Sequence, residues 1–177
     1  MVTIQDEIRQ TRPFASQAEE AVVALMRTAD LVRRAIAAVV EDRGITLQQY
    51  NVLRILRGAG DAGMPTLDIA ERMLDQTPGI TRLIDRLELK QLVSRERCAT
   101  DRRQVFCRIT PRGLELVGAL DQPVHDADLE AMSPLSDRQM SQLLKLLELT
   151  RTHLHATLEA RRDESLPEEA LLNESSS

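Results

Sequence analysis

Apolar residues recur every third or fourth position along most of this chain, and the period drops to two in one place, between Val93 and Ile109. Such a chain folds into helices plus one small β-hairpin, because a period of 3.6 lines one face of a helix and a period of two lines one face of a strand. Val105, Cys107 and Ile109 point one way and Phe106 and Arg108 the other, and Val93 to Cys98 supplies the partner strand. Between them Ala99, Thr100, Asp101, Arg102 and Arg103 form a polar, basic hairpin tip.

Helix signals divide the rest. Residues 1–16 read as an arm ending at Pro13, after which Ser16 caps a helix reaching about Arg43. Its Val22, Leu25, Ala29, Val32, Ile36 and Val39 form the 3-4 seam of a helix packed along another helix. Gly44 stops it. Thr46 with Gln49 makes a capping box for a second helix, which buries Leu47, Tyr50, Leu53 and Leu56 and breaks in the Gly-rich stretch from Gly58 to Pro65. Thr66 is expected to cap a short third helix presenting Leu67, Ala70, Met73 and Leu74 to one side. After a tight connection at Asp75 and Gln76, Thr77 is expected to cap a fourth helix with Pro78 in its first turn, where a missing N–H costs nothing. Ile80, Leu83, Ile84 and Leu87 form its apolar face; Pro78, Thr81, Arg82 and Asp85 lie opposite, with Arg86 one turn beyond Arg82.

Beyond the hairpin, Thr110 and Pro111 open a helix carrying Leu114, Val117, Leu120 and Val124, with a bend expected at Pro123. Ser136, followed by Gln139, caps a last long helix whose apolar set is Met140, Leu143, Leu144, Leu147, Leu154 and Leu158. From Arg161 onward the chain is acidic and Ser-rich and reads as a disordered tail.

Charge locates the function. The formal net charge is -5, yet Thr77 to Arg112 holds nine basic residues against four acidic ones. A basic segment inside an acidic chain is the electrostatic footprint of a polyanion site. Trp is absent and Phe and Tyr are scarce, which argues against a stacking platform for single-stranded nucleic acid. No apolar run approaches a membrane span, and Met1 to Gln10 lacks the pattern of a signal peptide, so a cytoplasmic address without membrane contact is expected.

Helix, short helix, tight turn, helix and a two-stranded ribbon with a basic tip is the order of a winged helix-turn-helix. In that arrangement the second helix of the pair enters the major groove, its N-terminal end pointing a positive dipole at phosphates. Thr81 and Arg82 then reach base edges, and the ribbon tip reaches phosphates or the adjacent minor groove. Residues 46–113 resemble the multiple antibiotic resistance regulator (MarR) family. The resemblance rests on Thr-Pro-Gly-Ile-Thr-Arg-Leu-Ile-Asp-Arg-Leu-Glu from Thr77 to Glu88 and on Asp-Arg-Arg-Gln-Val-Phe-Cys-Arg-Ile-Thr-Pro-Arg-Gly from Asp101 to Gly113. With the flanking helices it extends over roughly 17–160.

The resemblance implies a homodimeric regulator of transcription, commonly a repressor on a near-palindromic operator, in which a small ligand or oxidant weakens DNA binding. It implies a mainly α fold with a small β-hairpin wing, the winged helix-turn-helix being embedded in a helical dimerisation domain. The parts are an arm (1–16), a dimerisation helix (17–43), the DNA-binding domain (44–113), further dimerisation helices (114–160) and the tail (161–177). The DNA-binding set is Thr66, Gln76, Thr77, Pro78, Thr81, Arg82, Arg86, Arg102 and Arg103, with Asp101 structural in the wing. One departure is Gln91, where the family usually has Gly before Leu-Val. A left-handed residue there is strained by about 1 kcal/mol, which leaves room for a different local geometry.

Other motifs carry less. Gly-Ala-Gly-Asp-Ala-Gly from Gly58 to Gly63 spells a dinucleotide fingerprint but follows a helix and runs into Met64-Pro65, so no cofactor is expected. Cys98 and Cys107 invite comparison with a redox switch across the ribbon, but read more simply as small wing residues in a reducing compartment. His153 and His155 diverge on a helix, so no metal is expected, and His125 is placed to pair with Asp121. No catalytic set is present in a credible context, so an enzyme is not expected. The competing reading is a winged-helix module that binds protein instead of DNA.

Overall fold

The computed structural model describes residues 2–75, 79–97 and 105–164, with side chains through Arg161. In chain order the elements are α1 (Ile4–Glu7), α2 (Gln17–Glu41), α3 (Leu47–Ala59), a 3-10 turn (Gly60–Ala62), β1 (Met64–Pro65), α4 (Thr66–Arg72), α5 (Ile80–Leu89), β2 (Val93–Arg97), β3 (Val105–Ile109), α6 (Pro111–Met132) and α7 (Asp137–Glu164). The chain divides into two units, Met1–Ala131 and Met132–Ser177.

The helix starts follow their caps. Ser16 accepts from the Glu19 N–H at 3.1 Å, and Thr46 and Gln49 form the reciprocal capping box at 3.2 and 3.1 Å. Thr110 Oγ1 accepts from the Gly113 N–H at 3.0 Å, and Ser136 exchanges bonds with Gln139 in the same way at the head of α7. Each such cap satisfies donors that a helix start otherwise leaves unpaired.

The first unit has one core. Val40 from the end of α2 meets Val52, Leu53 and Leu56 of α3, Ile69 of α4, Ile84 and Leu87 of α5, Val93 and Cys107 of the sheet, and Val117 and Leu120 of α6. Burying side chains of this size contributes roughly 1.5–3 kcal/mol apiece. The first half of α6 therefore belongs to the winged core. The helix continues unbroken through Pro123.

Several expectations are corrected here. The arm carries one helical turn that its sequence pattern did not reveal: Thr3 caps it, and Glu7 of that turn pairs with Arg27 of α2 at 2.7 Å. The sheet has three antiparallel strands in the order β1-β3-β2, with Met64 opposite Cys107 and Pro65 opposite Phe106. A two-residue strand carries no period to detect, and Pro65 is tolerated because β1 is an edge. Gly63 permits this pairing, since a Cβ there would lie 2.6 Å from the Cys107 carbonyl oxygen, and this gives the Gly-rich string a packing role. In α4 the buried residue is Ile69, followed by Met73 just past the helix end, while Leu67 and, beyond the helix, Leu74 are 75% and 82% exposed. Seven residues are too few for periodicity to choose between two overlapping apolar sets. Thr66 does not cap α4; Pro65 holds that position and Thr66 is the first helical residue. Asp121 pairs with Arg57 at 2.8 Å rather than with His125, and this guanidinium holds its carboxyl below the usual range. At the far end α7 continues to Glu164, past the expected start of the tail, and residues 165–177 lie outside the described residues.

Candidate nucleic-acid interface

Sequence pattern decides which face of α5 is free. Ile84 and Leu87 are buried and Ile80 and Leu83 half-buried, so a helix of 3.6 residues per turn must turn Thr81, Arg82 and Arg86 to solvent, where all three are exposed. Arg82 and Arg86 stand one turn apart on that face. The described helix begins at Ile80, with Gly79 in the cap position at φ 107° and ψ 27° and the Leu83 N–H donating to its carbonyl at 3.2 Å. The expected start at Pro78 is thus later by two residues; Gln76, Thr77 and Pro78 themselves lie outside the described residues.

The scaffold behind α5 contains a residue that periodicity did not single out. Asn51, on α3, accepts the Leu74 N–H through its Oδ1 at 3.0 Å and so ties the entrance of the helix-turn-helix connection to the core. Its signal in the sequence is weak, a lone amide on a helix. Thr66, expected among the contacts, is half-buried; its hydroxyl donates to the Val105 carbonyl at 3.4 Å and lies 3.6 Å from Cys107 Sγ. That hydroxyl is directed at β3, anchoring α4 to the sheet.

The basic segment is less uniform than its charge count suggests. Arg95 pairs with Asp85 and Glu88 of α5, and its pKa is raised first by the Glu88 hydrogen bond. Arg108 pairs with Glu96 and donates from Nε to the Asp61 carbonyl at 2.9 Å. Lys90 donates to the Gly44 carbonyl and to Gln49 Oε1, and Arg112 donates to Gln91 Oε1 at 3.2 Å. Among the described residues this leaves Arg82, Arg86 and Arg97 as exposed cations of the segment without such a bond. Arg97 was overlooked as a site residue, because nothing in sequence separates a free arginine from a paired one. Asp101, Arg102 and Arg103 lie outside the described residues.

Cys107 is fully buried, and burial pushes its thiol pKa up, away from the reactive thiolate. The strand register sets Arg95 opposite it, not Cys98, which itself lies outside the described residues. An open cleft of about 510 Å³ adjoins the C-terminal end of α5, with Arg43, Lys90 and Arg112 beside Ile45, Leu92 and Leu116. Among the described residues no group of His, Cys, Asp and Glu could hold a metal ion, and no helix is long and apolar enough to cross a membrane.

Residues 45–105 match the sequence model of the MarR family. The HTH-type transcriptional regulator MhqR of Bacillus subtilis is 31% identical over 109 residues, covering 61% of this chain and 73% of MhqR. The crystal structure of a MarR transcription factor from Planctomyces limnophilus is 37% identical with a TM-score of 0.61, over 77% of this chain and 99% of that one. A mutant MarR from E. coli, crystallised in complex with operator DNA, shares the fold at 23% identity with a TM-score of 0.66, over 72% of this chain and 90% of that one.

Proposed function

From membership of the MarR family of winged helix-turn-helix, DNA-binding transcriptional regulators, to which this chain belongs, we propose that it is a homodimeric repressor which binds a near-palindromic operator in double-stranded DNA. The observation that carries the reading is the outer face of α5, where Thr81, Arg82 and Arg86 stand exposed on a helix whose other side is locked into the core. Arg matches the paired acceptors of guanine in the major groove, so Arg82 reads a base while Arg86 and Arg97 neutralise phosphate. Gln76, Thr77 and Pro78 complete the groove contacts at the head of the helix, and Arg102 and Arg103, oriented by Asp101, extend the phosphate contacts into the wing. Two-fold symmetry places half-site centres about 10 base pairs apart. The cleft at the end of α5 is the place where a small ligand would release the operator, because Lys90 and Arg112 join that end of the helix to its surroundings. A DNA partner in turn implies a cytoplasmic address.

The test is selection of bound sequences from random duplex DNA, followed by Arg82→Ala on the best site. The substitution should cost about 1–3 kcal/mol and relax specificity at one base position. Unchanged affinity and specificity in a folded variant would sink the assignment.

A further inference from the structure

One side chain joins the wing to the recognition helix, and it sits where the strand pattern calls for an apolar residue. Along β2, Val93 is buried, Ser94 and Glu96 occupy the outer face, and Arg95 returns to the inner face directly opposite the buried Cys107. Inward positions of a strand with one solvated face are ordinarily apolar. Here the inward residue is an arginine turned onto α5, with Nη1 2.6 Å from Asp85 Oδ1 and Nε donating to Glu88 Oε2 at 2.9 Å. Asp85 and Glu88, three apart on the helix, present both carboxylates to the planar fork of one guanidinium.

We infer that Arg95 is a positioning residue for DNA recognition, which touches no DNA itself and fixes the angle between α5 and the wing so that both meet one duplex together. The inference rests on the DNA-binding reading proposed above. Lys90 to Leu92 link α5 to β2, the base of the ribbon is anchored by the buried Leu92 and Val93, and each further residue carries the strand about 3.3 Å beyond that anchor. A brace three residues past the end of that link limits the swing of everything beyond it, including Arg97. Two other roles fit less well. A phosphate contact would pull the guanidinium away from two carboxylates and leave them unpaired beside a polyanion. A purely stabilising role asks much of a pair whose arginine side chain is 30% exposed, since solvent-screened ion pairs contribute little to stability. On the outer face, Arg108 bonds Glu96 and the Asp61 carbonyl without touching α5, and serves as a control.

The experiment uses the full-length protein, the best duplex from the random pool and a scrambled duplex, titrated over a series of salt concentrations. The double variant Glu88→Gln with Arg95→Met removes the brace while conserving net charge. It should weaken the selected duplex roughly tenfold, with scrambled-duplex affinity and the log–log salt slope unchanged, whereas Arg108→Met should leave the ratio between duplexes as it was. The swap Glu88→Arg with Arg95→Glu should return the ratio to within about threefold of wild type. A salt slope smaller by about one would make Arg95 a phosphate contact and overturn the inference. An unchanged ratio, or a swap that folds without regaining it, would overturn it too. Should the double variant fail to fold, the swap decides alone. A wild-type protein that selects no sequence overturns the DNA-binding reading itself, which separates the two failures.

Discussion

Gln91 shows how one residue can keep a backbone geometry that its side chain disfavours. It adopts φ 59°, and around it the Leu92 N–H reaches back to the Leu87 carbonyl at 3.0 Å, closing α5 as a glycine would. The departure from the family pattern therefore leaves the turn intact. Its surroundings explain the tolerance: Thr110 Oγ1 donates to the Gln91 carbonyl at 2.8 Å, and Arg112 holds its side-chain oxygen at 3.2 Å. Left-handed strain outweighs an exposed side-chain bond, so Gln91→Gly should raise stability by about 0.5–1 kcal/mol in urea denaturation with DNA affinity unchanged. A loss of stability would mean that the Arg112 contact is the larger effect. The residue scale is also where charge had to be re-read. Arg82, Arg95 and Arg108 look alike in the sequence, yet one is free and two are held by carboxylates, because pairing depends on strand register and helix rotation together.

At the scale of elements, legibility follows length and chemistry. The caps of α2, α3, α6 and α7 were readable because a hydroxyl reaching the N–H three residues on is a local interaction. The inward face of α5 was readable because ten residues hold nearly three turns of pattern. By contrast β1 and the rotation of α4 depend on β3, a partner some forty residues away in sequence, and neither could be read locally. The junction of α6 with the recognition helix is equally non-local. A Cβ on Gly113 would lie 2.3 Å from the Leu92 carbonyl oxygen and 2.7 Å from Ile109 Cγ1, so α6 can leave the sheet at this point only with glycine there. Gly113→Ala should destabilise the protein by about 1–3 kcal/mol, as overpacking against a rigid backbone does. Thermal unfolding measures this, and a wild-type midpoint would show that α6 shifts freely and that its first turn is not anchored by this contact.

On the scale of the whole molecule, the unexplained surface is apolar. Val22, Leu25, Met26 and Leu31 of α2 are exposed, and no residue of α7 from Asp137 to Arg161 is buried, with Leu144, Leu146, Leu149, Leu154 and Leu158 all open to solvent. Exposed apolar side chains in such numbers mark a surface suited to contact with another protein. Under the proposed homodimer, sedimentation of the full-length chain at micromolar concentration gives twice the monomer mass. Replacing Leu149 and Leu154 by Glu should shift it toward monomer and weaken operator binding steeply, since one half-site then replaces two. A monomeric wild type bound as one copy to an asymmetric site would remove both the dimer and the palindrome.

The long helices, the caps of α2, α3, α6 and α7, the change of period at the hairpin and the outward face of α5 were legible in the sequence alone. Each of these is encoded within a few turns or a single strand, where neighbours in the chain are neighbours in space. Tertiary contacts alone settle which arginines remain free, that a third strand completes the sheet, that Asn51 ties Leu74, just past α4, to α3, and that Arg95 is bonded to α5. Those features arise between residues distant along the chain or set by packing, and no local pattern records a partner that folding alone brings near.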